Sequence, residues 1–227
     1  EKRLTRHPQL EYIGALSTGY NVFDLKAAHA QDITVTNIPE YATMATAQMT
    51  LALLLELTNH VGEHNRRVHE GDWLKTPHFC FWTKPLTELS GKTIGLFGYG
   101  RIARKVAHMA YALGMRVLAT ARSRSANEEY KDPDGFSLTF VDMDTLFSES
   151  DFLSFHCPLT DDTRHLVDTT SIQKMKDGVY LINTSRGPVF DEQAVSEALK
   201  TNKIAGVAVD VLSKEPPDAD NPLLHAP

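Results

Sequence analysis

Short apolar segments alternate with amphipathic segments along most of the second half of the chain. The apolar segments predict strands at 93–97, 116–120, 138–140, 151–155, 179–182 and 204–209. The amphipathic segments predict helices at 102–113, 142–148, 170–175 and 191–200. Strands and helices that alternate in this way build a parallel sheet covered on both faces, so the pattern predicts a doubly wound α/β fold.

The pattern before residue 93 is different. It predicts short strands at 10–16 and 33–36, a short helix at 24–30 and one long helix at 43–69. The aromatic and proline-bearing segment from Trp73 to Pro85 predicts irregular surface structure. We therefore expect two domains, at residues 1–44 and about 45–227, joined through the long helix.

The strand at 93–97 leads into a glycine-rich turn and then a helix. Gly98 permits the tight turn, and Gly100 lets the backbone approach a pyrophosphate. Ala103 occupies the third position of G-x-G-x-x-G, where any small residue suffices. Bare amides at the start of the helix face the anion. This βαβ unit predicts a dinucleotide-binding domain of the Rossmann type.

The end of the second strand indicates which dinucleotide binds. An acidic residue usually stands there and binds the adenosine ribose, but here the position is Ala121. Arg122, Ser123 and Arg124 follow, and two guanidinium groups suit a 2′-phosphate. The sequence predicts a preference for NADP, with NAD as the other candidate.

Composition excludes several classes of partner. A net charge of −6 argues against nucleic acid, and no apolar run is long enough to cross a membrane. Cys80 and Cys157 are the only cysteines and are far apart, which indicates a reducing compartment. We therefore expect a cytoplasmic protein without a disulfide framework.

Ligands of such sheets bind beyond the carboxyl ends of the strands. Arg186 follows the strand at 179–182, and Asp210 and Glu215 follow the strand at 204–209. Arg186 could bind a substrate carboxylate with both guanidinium nitrogens. Glu215 could orient a histidine and stabilise its protonated form. A surface ion pair for Arg186 and a solvated loop acid for Glu215 remain open alternatives.

Four segments resemble the D-isomer-specific 2-hydroxyacid dehydrogenases in order and spacing. They are Gly98-Tyr99-Gly100-Arg101-Ile102, His156-Cys157-Pro158-Leu159-Thr160, Asn183-Thr184-Ser185-Arg186-Gly187, and Asp210-Val211 with Glu215-Pro216. The resemblance covers essentially the whole chain. It implies a Rossmann-type domain beside a second, partial substrate domain of flavodoxin-like fold, and a homodimer formed through the cofactor domains.

The resemblance also implies a role for individual residues. Arg186 matches the substrate-binding arginine, and Glu215 matches the acid that pairs with the catalytic histidine. The remaining residues implied to lie along the cofactor are Arg101, Ile102, Cys157, Pro158, Thr163, Thr184 and Asp210. Backbone amides of Thr18 and Gly19, in the other domain, match those that hold the substrate carboxylate.

The implied function is hydride transfer between NAD(P)H and a small 2-keto or 2-hydroxy acid. The segment Phe79-Cys80-Phe81-Trp82 is similar to glycerate dehydrogenases, also called hydroxypyruvate reductases, so hydroxypyruvate or glyoxylate is the expected substrate. One alternative is a dinucleotide-sensing, corepressor-like binding protein. Another is an enzyme that oxidises a different small anion, such as formate or phosphite.

The chain departs from the family at its ends. The catalytic histidine is expected after Glu215 in a Thr-Pro-His-type motif, which does not occur before Pro227. His225 comes too early, in a Leu-Leu-His-Ala-Pro segment, to fill that role. The first strand of the substrate domain is also absent. We expect these residues to be a portion of a longer polypeptide.

One further motif suggests a metal. His60-Val61-Gly62-Glu63-His64 matches the H-x-x-E-H pattern of some zinc proteases. No third ligand is evident downstream, and Gly62 weakens a helix at this point. We expect an ordinary helix surface and no metal site.

Overall fold

A computed structural model describes residues 4–132 and 135–227. The chain divides into two compact units, Glu1–Ala45 and Thr46–Pro227. This division lies one residue beyond the boundary expected from the sequence.

The first unit contains two short parallel strands and one short helix. Its elements are a 3-10 helix at Leu4–Arg6, β1 at Tyr12–Gly14, α1 at Leu25–His29 and β2 at Thr34–Thr36. Strand β1 pairs with β2 in register Ile13 to Val35. The Asp24 carboxylate accepts a hydrogen bond from the Ala27 amide, which fixes the start of α1. The strands and helix expected here are present, but each is shorter than predicted.

Two helices connect the first unit to the large sheet. Helix α2 covers Thr43–Asn59 and α3 covers Val61–His69. The prediction of one helix over 43–69 is wrong, because His60 adopts a left-handed conformation with φ of 50°. The Glu56 carboxylate then accepts the amide of Gly62 at 3.0 Å, inside the first turn of α3.

The second unit is built on a seven-stranded sheet. Its elements in chain order are β3 at Thr93–Phe97, α4 at Arg101–Ala112, β4 at Arg116–Thr120, β5 at Glu128–Lys131, β6 at Ser137–Phe140, α5 at Met143–Glu149, β7 at Phe152–Phe155, α6 at Thr169–Lys174, β8 at Val179–Asn183, α7 at Glu192–Lys200 and β9 at Ile204–Val209. Short 3-10 helices lie at Trp73–Lys75, Gly187–Val189 and Pro222–His225.

The strand order is β5-β6-β4-β3-β7-β8-β9, and every pair except β5 with β6 is parallel. The chain adds β4 and β6 on one side of β3, and then β7, β8 and β9 on the other side. This order of parallel strands is the doubly wound order of dinucleotide-binding folds. The strand β5 was not predicted, because its sequence Glu-Glu-Tyr-Lys is polar.

Helices cover both faces of this sheet. Leu54 of α2 and Val106 of α4 pack in one cluster with Ile94 and Leu96 of β3. Phe147 of α5 lies in the cluster on the opposite face, together with side chains from α6 and α7. Both layers are closed to solvent, so the loops at the strand ends are held by a rigid base. Among the described residues, no helix is both long and apolar enough to span a membrane.

Candidate active site

The turn after β3 requires glycine at its first position. Gly98 has a φ of +89°, and a β-carbon there would lie 2.8 Å from the carbonyl oxygen of His156. Its amide donates a hydrogen bond to the Thr120 hydroxyl at 3.2 Å. The turn is therefore clamped between the ends of β4 and β7, the neighbours of β3.

Gly100 presents the opposite situation. It precedes the first residue of α4, and the helix has no side-chain cap there. A β-carbon at Gly100 would meet no heavy atom of the described residues within 4 Å. The surface in front of the first turn of α4, with Arg101 and Ile102, is therefore open to a ligand. A phosphate fits an uncapped helix start of this kind, so these residues suit the pyrophosphate of a dinucleotide.

The loop after β4 contains the predicted phosphate ligands. Arg122 and Ser123 are exposed. Arg124 is engaged elsewhere, because its guanidinium group forms an ion pair with Glu128 at 2.5 Å. The sequence did not indicate this pairing, since β5, which begins at Glu128, was not predicted.

The loop after β7 carries two groups that burial keeps uncharged. Burial lowers the pKa of His156 to about 4, and its Nε2 lies 2.9 Å from the Ser154 hydroxyl. Burial also raises the pKa of the Cys157 thiol to about 11. Both groups are therefore neutral near neutral pH, and the contact with Ser154 fits the expectation that His156 packs or bonds locally at the strand end.

A turn follows directly. The Thr163 hydroxyl donates to the Pro158 carbonyl oxygen at 2.7 Å and accepts the Thr160 amide at 2.8 Å. This places Pro158 and Thr163 side by side at the same sheet edge as the glycine turn. Their predicted contact with the adenosine half of a cofactor stays a prediction.

The loop after β8 is organised by side chains. The Asn183 amide group donates to the Arg186 carbonyl oxygen at 2.9 Å, and its oxygen accepts the Ser185 amide at 3.0 Å. The Thr50 hydroxyl donates its one proton to the Thr46 carbonyl oxygen. It also lies 2.9 Å from the Thr184 hydroxyl, so in this second bond the Thr184 hydroxyl is the donor and the Thr50 oxygen the acceptor. These bonds hold the main chain on both sides of Ser185.

Arg186 itself is partly exposed, and its Nη1 donates to the Ser185 carbonyl oxygen at 2.6 Å. A guanidinium group is a planar fork of donors whose geometry matches a carboxylate. The position fits the predicted role in substrate binding, which stays a prediction.

The loop after β9 is attached to the loop after β8. The amide of Asp210 donates to the Asn183 carbonyl oxygen at 3.0 Å. Glu215 is exposed, and its carboxylate accepts the amide of Leu212 at 3.0 Å. The structure thus brings Arg186 and Glu215 to adjacent loops at one edge of the sheet.

Glu192, at the start of α7, was not predicted as a site residue. Its carboxylate accepts the Ser213 amide at 2.7 Å, the Ser213 hydroxyl at 2.6 Å and the Asn221 side-chain amide at 2.8 Å. These contacts join residues that are far apart in sequence. The one sequence signal near Glu192 is the acidic pair Asp191-Glu192 at the start of an amphipathic helix, and it does not indicate the partners.

Thr18 and Gly19 belong to the first unit, in the loop after β1. The Thr18 hydroxyl donates to the Ile38 carbonyl oxygen at 3.0 Å, and the Gly19 carbonyl oxygen accepts the Ser17 hydroxyl at 2.7 Å. Their predicted contact with a substrate carboxylate stays a prediction.

The H-x-x-E-H segment does not form a helical pair of ligands. His60 precedes α3, and the His64 ring nitrogen Nδ1 lies 2.9 Å from the His60 carbonyl oxygen. Among the described residues, no group of three histidine, cysteine or acidic side chains could hold a metal ion.

The doubly wound sheet, the glycine turn and the open helix start define a dinucleotide-binding domain of the Rossmann type. Residues 51–227 match the family model described as D-isomer specific 2-hydroxyacid dehydrogenase, NAD binding domain. The chain belongs to the D-isomer specific 2-hydroxyacid dehydrogenases, which confirms the resemblance seen in its motifs. Its cofactor is a nicotinamide dinucleotide.

Three known proteins illustrate the relationship. A hydroxypyruvate reductase of Blautia hydrogenotrophica is 46% identical over 221 residues, covering 96% of this chain and 66% of the relative. A glycerate dehydrogenase of Methylorubrum extorquens is 37% identical over 223 residues, covering 98% and 67%. The crystal structure of D-lactate dehydrogenase from Aquifex aeolicus, complexed with NAD and lactic acid, matches with a TM-score of 0.84 at 32% identity, covering 99% and 68%. The chain thus spans about two thirds of the length of these relatives.

Proposed function

We propose that the protein transfers hydride between a nicotinamide dinucleotide and a small 2-keto or 2-hydroxy acid, with hydroxypyruvate and glyoxylate as the first candidates. One observation carries the proposal. The Gly98–Gly100 turn, Arg186 and Glu215 lie in loops at the same edge of the sheet. Hydrogen bonds connect these loops to one another or to neighbouring strands. The relatives named hydroxypyruvate reductase and glycerate dehydrogenase support this substrate class.

The residues have separate tasks in this proposal. The Gly98–Gly100 turn and the first turn of α4 hold the pyrophosphate, and Thr184 and Asp210 lie along the nicotinamide half. The dinucleotide supplies the hydride. Arg186 binds the substrate carboxylate and polarises the neighbouring carbonyl. Glu215 pairs with the family's catalytic histidine and stabilises its protonated form.

Turnover tests the proposal. The purified full-length protein is given hydroxypyruvate, glyoxylate, pyruvate, formate and phosphite in turn, with reduced or oxidised dinucleotide as the reaction requires. Reduction of hydroxypyruvate or glyoxylate supports the enzyme. Dinucleotide binding with no turnover of any substrate favours a dinucleotide-sensing binding protein. Oxidation of formate or phosphite alone would move the substrate class to those anions.

We further propose that the cofactor preference is for NADP. Ala121 provides no carboxylate to bind a ribose hydroxyl or to repel a phosphate, and Arg122 is exposed on the same loop. Among the described residues, no ion pair engages Arg122, so its guanidinium group is available to a 2′-phosphate. Equal KM values for NADH and NADPH would contradict this preference.

We also propose that two copies associate through the cofactor domain. The segment after α3 exposes large apolar side chains, and Leu74 and Phe79 are each 91% exposed. Trp82 is 66% exposed on the same segment. Aromatic side chains of this kind are enriched in protein interfaces. Sedimentation equilibrium tests the proposal, and a Phe79→Ser variant should shift the protein towards the monomer.

A further inference from the structure

A carboxylate stands beside the loop that is proposed to take the 2′-phosphate. Glu128 begins β5, and its Oε1 accepts the Arg124 guanidinium group at 2.5 Å. Its Oε2 accepts the amide of Ser125 at 3.3 Å. Glu128 therefore binds both the side chain of Arg124 and the main chain that follows it.

Aromatic rings fix the guanidinium group from a second direction. The central carbon of the Arg124 guanidinium lies 5.4 Å from the ring centre of Phe140 and 5.5 Å from that of Tyr130. The Phe140 ring in turn meets the ring of Tyr99, inside the glycine turn, edge-on at 5.2 Å. Arg124 is thus held next to the dinucleotide turn, with its charge already balanced.

This arrangement separates the two arginines of the loop. Arg122 has no ion pair among the described residues and can bind an added phosphate, whereas Arg124 must first leave Glu128. The ion pair is only partly buried, with 38% of the Arg124 side chain and 34% of the Glu128 side chain exposed, so an anion can compete for it. The carboxylate also adds negative charge where a second negative group would bind.

We propose that Glu128 is a specificity-determining residue, which lowers the affinity for a 2′-phosphorylated dinucleotide by keeping Arg124 in an ion pair. The inference rests on the proposed binding of the 2′-phosphate by the Arg122–Arg124 loop. NAD has no phosphate at this position, so Glu128 leaves its binding almost unchanged. The residue sets the ratio of the two affinities and takes no part in the reaction.

A direct binding measurement tests this role, by titrating NADPH and NADH against the full chain and following nucleotide fluorescence. The Glu128→Gln variant removes the charge with little change in shape. It should bind NADPH about tenfold more tightly, because a charge-assisted hydrogen bond to phosphate becomes available. Its affinity for NADH should stay within about twofold of the unmodified protein.

Matched variants identify the cause. Glu129→Gln removes an equal charge from the next, exposed residue of β5 and should change neither affinity by more than about twofold. In an Arg124→Gln background, Glu128→Gln should lose most of its effect on NADPH, since the two residues act as a pair. Thermal unfolding of each variant verifies that the fold is retained.

The outcomes distinguish this inference from the cofactor proposal. Weaker NADPH binding by Arg122→Gln, combined with no gain from Glu128→Gln, overturns the role of Glu128 and leaves the NADP preference in place. Equal tightening of NADPH and NADH by Glu128→Gln also overturns it. Unchanged NADPH binding by both Arg122→Gln and Arg124→Gln overturns the cofactor proposal itself, whatever Glu128→Gln does.

Discussion

Gly187 packs so closely against Leu212 that a β-carbon at position 187 would stand 1.9 Å from the carbonyl carbon of Leu212. Gly187 directly follows Arg186, and Leu212 donates its amide to Glu215. The loops that carry Arg186 and Glu215 therefore meet main chain against main chain at this point. Their separation depends on the absence of a side chain at one position.

Replacing this glycine should damage the fold itself. In Gly187→Ala the new methyl group must push apart two backbone segments, so the free energy of unfolding should fall by about 3 kcal/mol or more. Urea denaturation measures the loss. Gly100→Ala is the matched control: its methyl group meets open space, so stability should stay within about 1 kcal/mol while dinucleotide affinity falls. Equal loss of stability in both variants would contradict the assignment of Gly100 to the ligand.

Arg186→Lys should separate catalysis from cofactor binding. Lysine keeps the positive charge but lacks the planar fork. We therefore expect kcat/KM to fall by an amount that corresponds to a loss of about 2–4 kcal/mol in transition-state stabilisation. Dinucleotide affinity should be nearly unchanged. Steady-state kinetics and a binding titration on the same sample provide both numbers. Near-normal turnover would remove Arg186 from the substrate site.

The cofactor preference should be reversible by two substitutions. Ala121→Asp supplies a carboxylate for the ribose hydroxyls, and Arg122→Gln removes a ligand of the 2′-phosphate. Together they should weaken NADPH binding roughly tenfold or more and strengthen NADH binding. Arg116→Gln changes an arginine at the opposite end of β4, paired with Glu149, and should leave both affinities unaltered. If Arg122 only stacks on adenine, the double variant will bind NADPH and NADH more weakly by the same factor.

Stability should depend on pH through His156. Burial lowers the pKa of His156 from 6.5 to about 4, so the unfolded chain binds more protons than the folded chain between these values. Stability is fully present above pH 6.5 and falls as the pH drops towards 4, by up to about 1.4 kcal/mol per pH unit. Urea unfolding across this range should show a shallower slope for His156→Gln. Parallel slopes would mean that other groups cause the loss.

The buried strands were predictable because continuous apolar runs leave few alternatives. The strands β3, β4 and β9 have the bounds expected from the sequence, at 93–97, 116–120 and 204–209. The strand β5 was not predictable from its polar residues, since its pairing with β6 provides the hydrogen bonds that its sequence does not suggest. The break at His60 was not predicted, because Gly62 weakens a helix at this point but a single glycine does not by itself indicate a helix end.

The candidate site likewise has features that could be predicted from the sequence and features that could not. The glycine turn and the position of Arg186 in the loop after β8 were predictable because short motifs define them locally, while the role of Arg186 stays a prediction. The ion pair of Arg124 with Glu128 is local, but it was not predicted because the turn into β5 that brings the two side chains together was not predicted. The bonds of Glu192 to Ser213 were not predicted because these residues are 21 positions apart and meet only in the folded chain. Side-chain contacts of this kind follow from the tertiary fold rather than from residue spacing.

The position of β5 at the outer edge of the sheet has a consequence for solubility. An edge strand exposes unpaired backbone groups that can recruit another chain, and charged side chains oppose such pairing. Glu128, Glu129 and Lys131 give β5 three charges in four residues. A substitution at Glu128 therefore weakens protection against edge-to-edge aggregation as well as altering Arg124, and Glu129 and Lys131 become the residues that keep the sheet from growing into a neighbouring molecule.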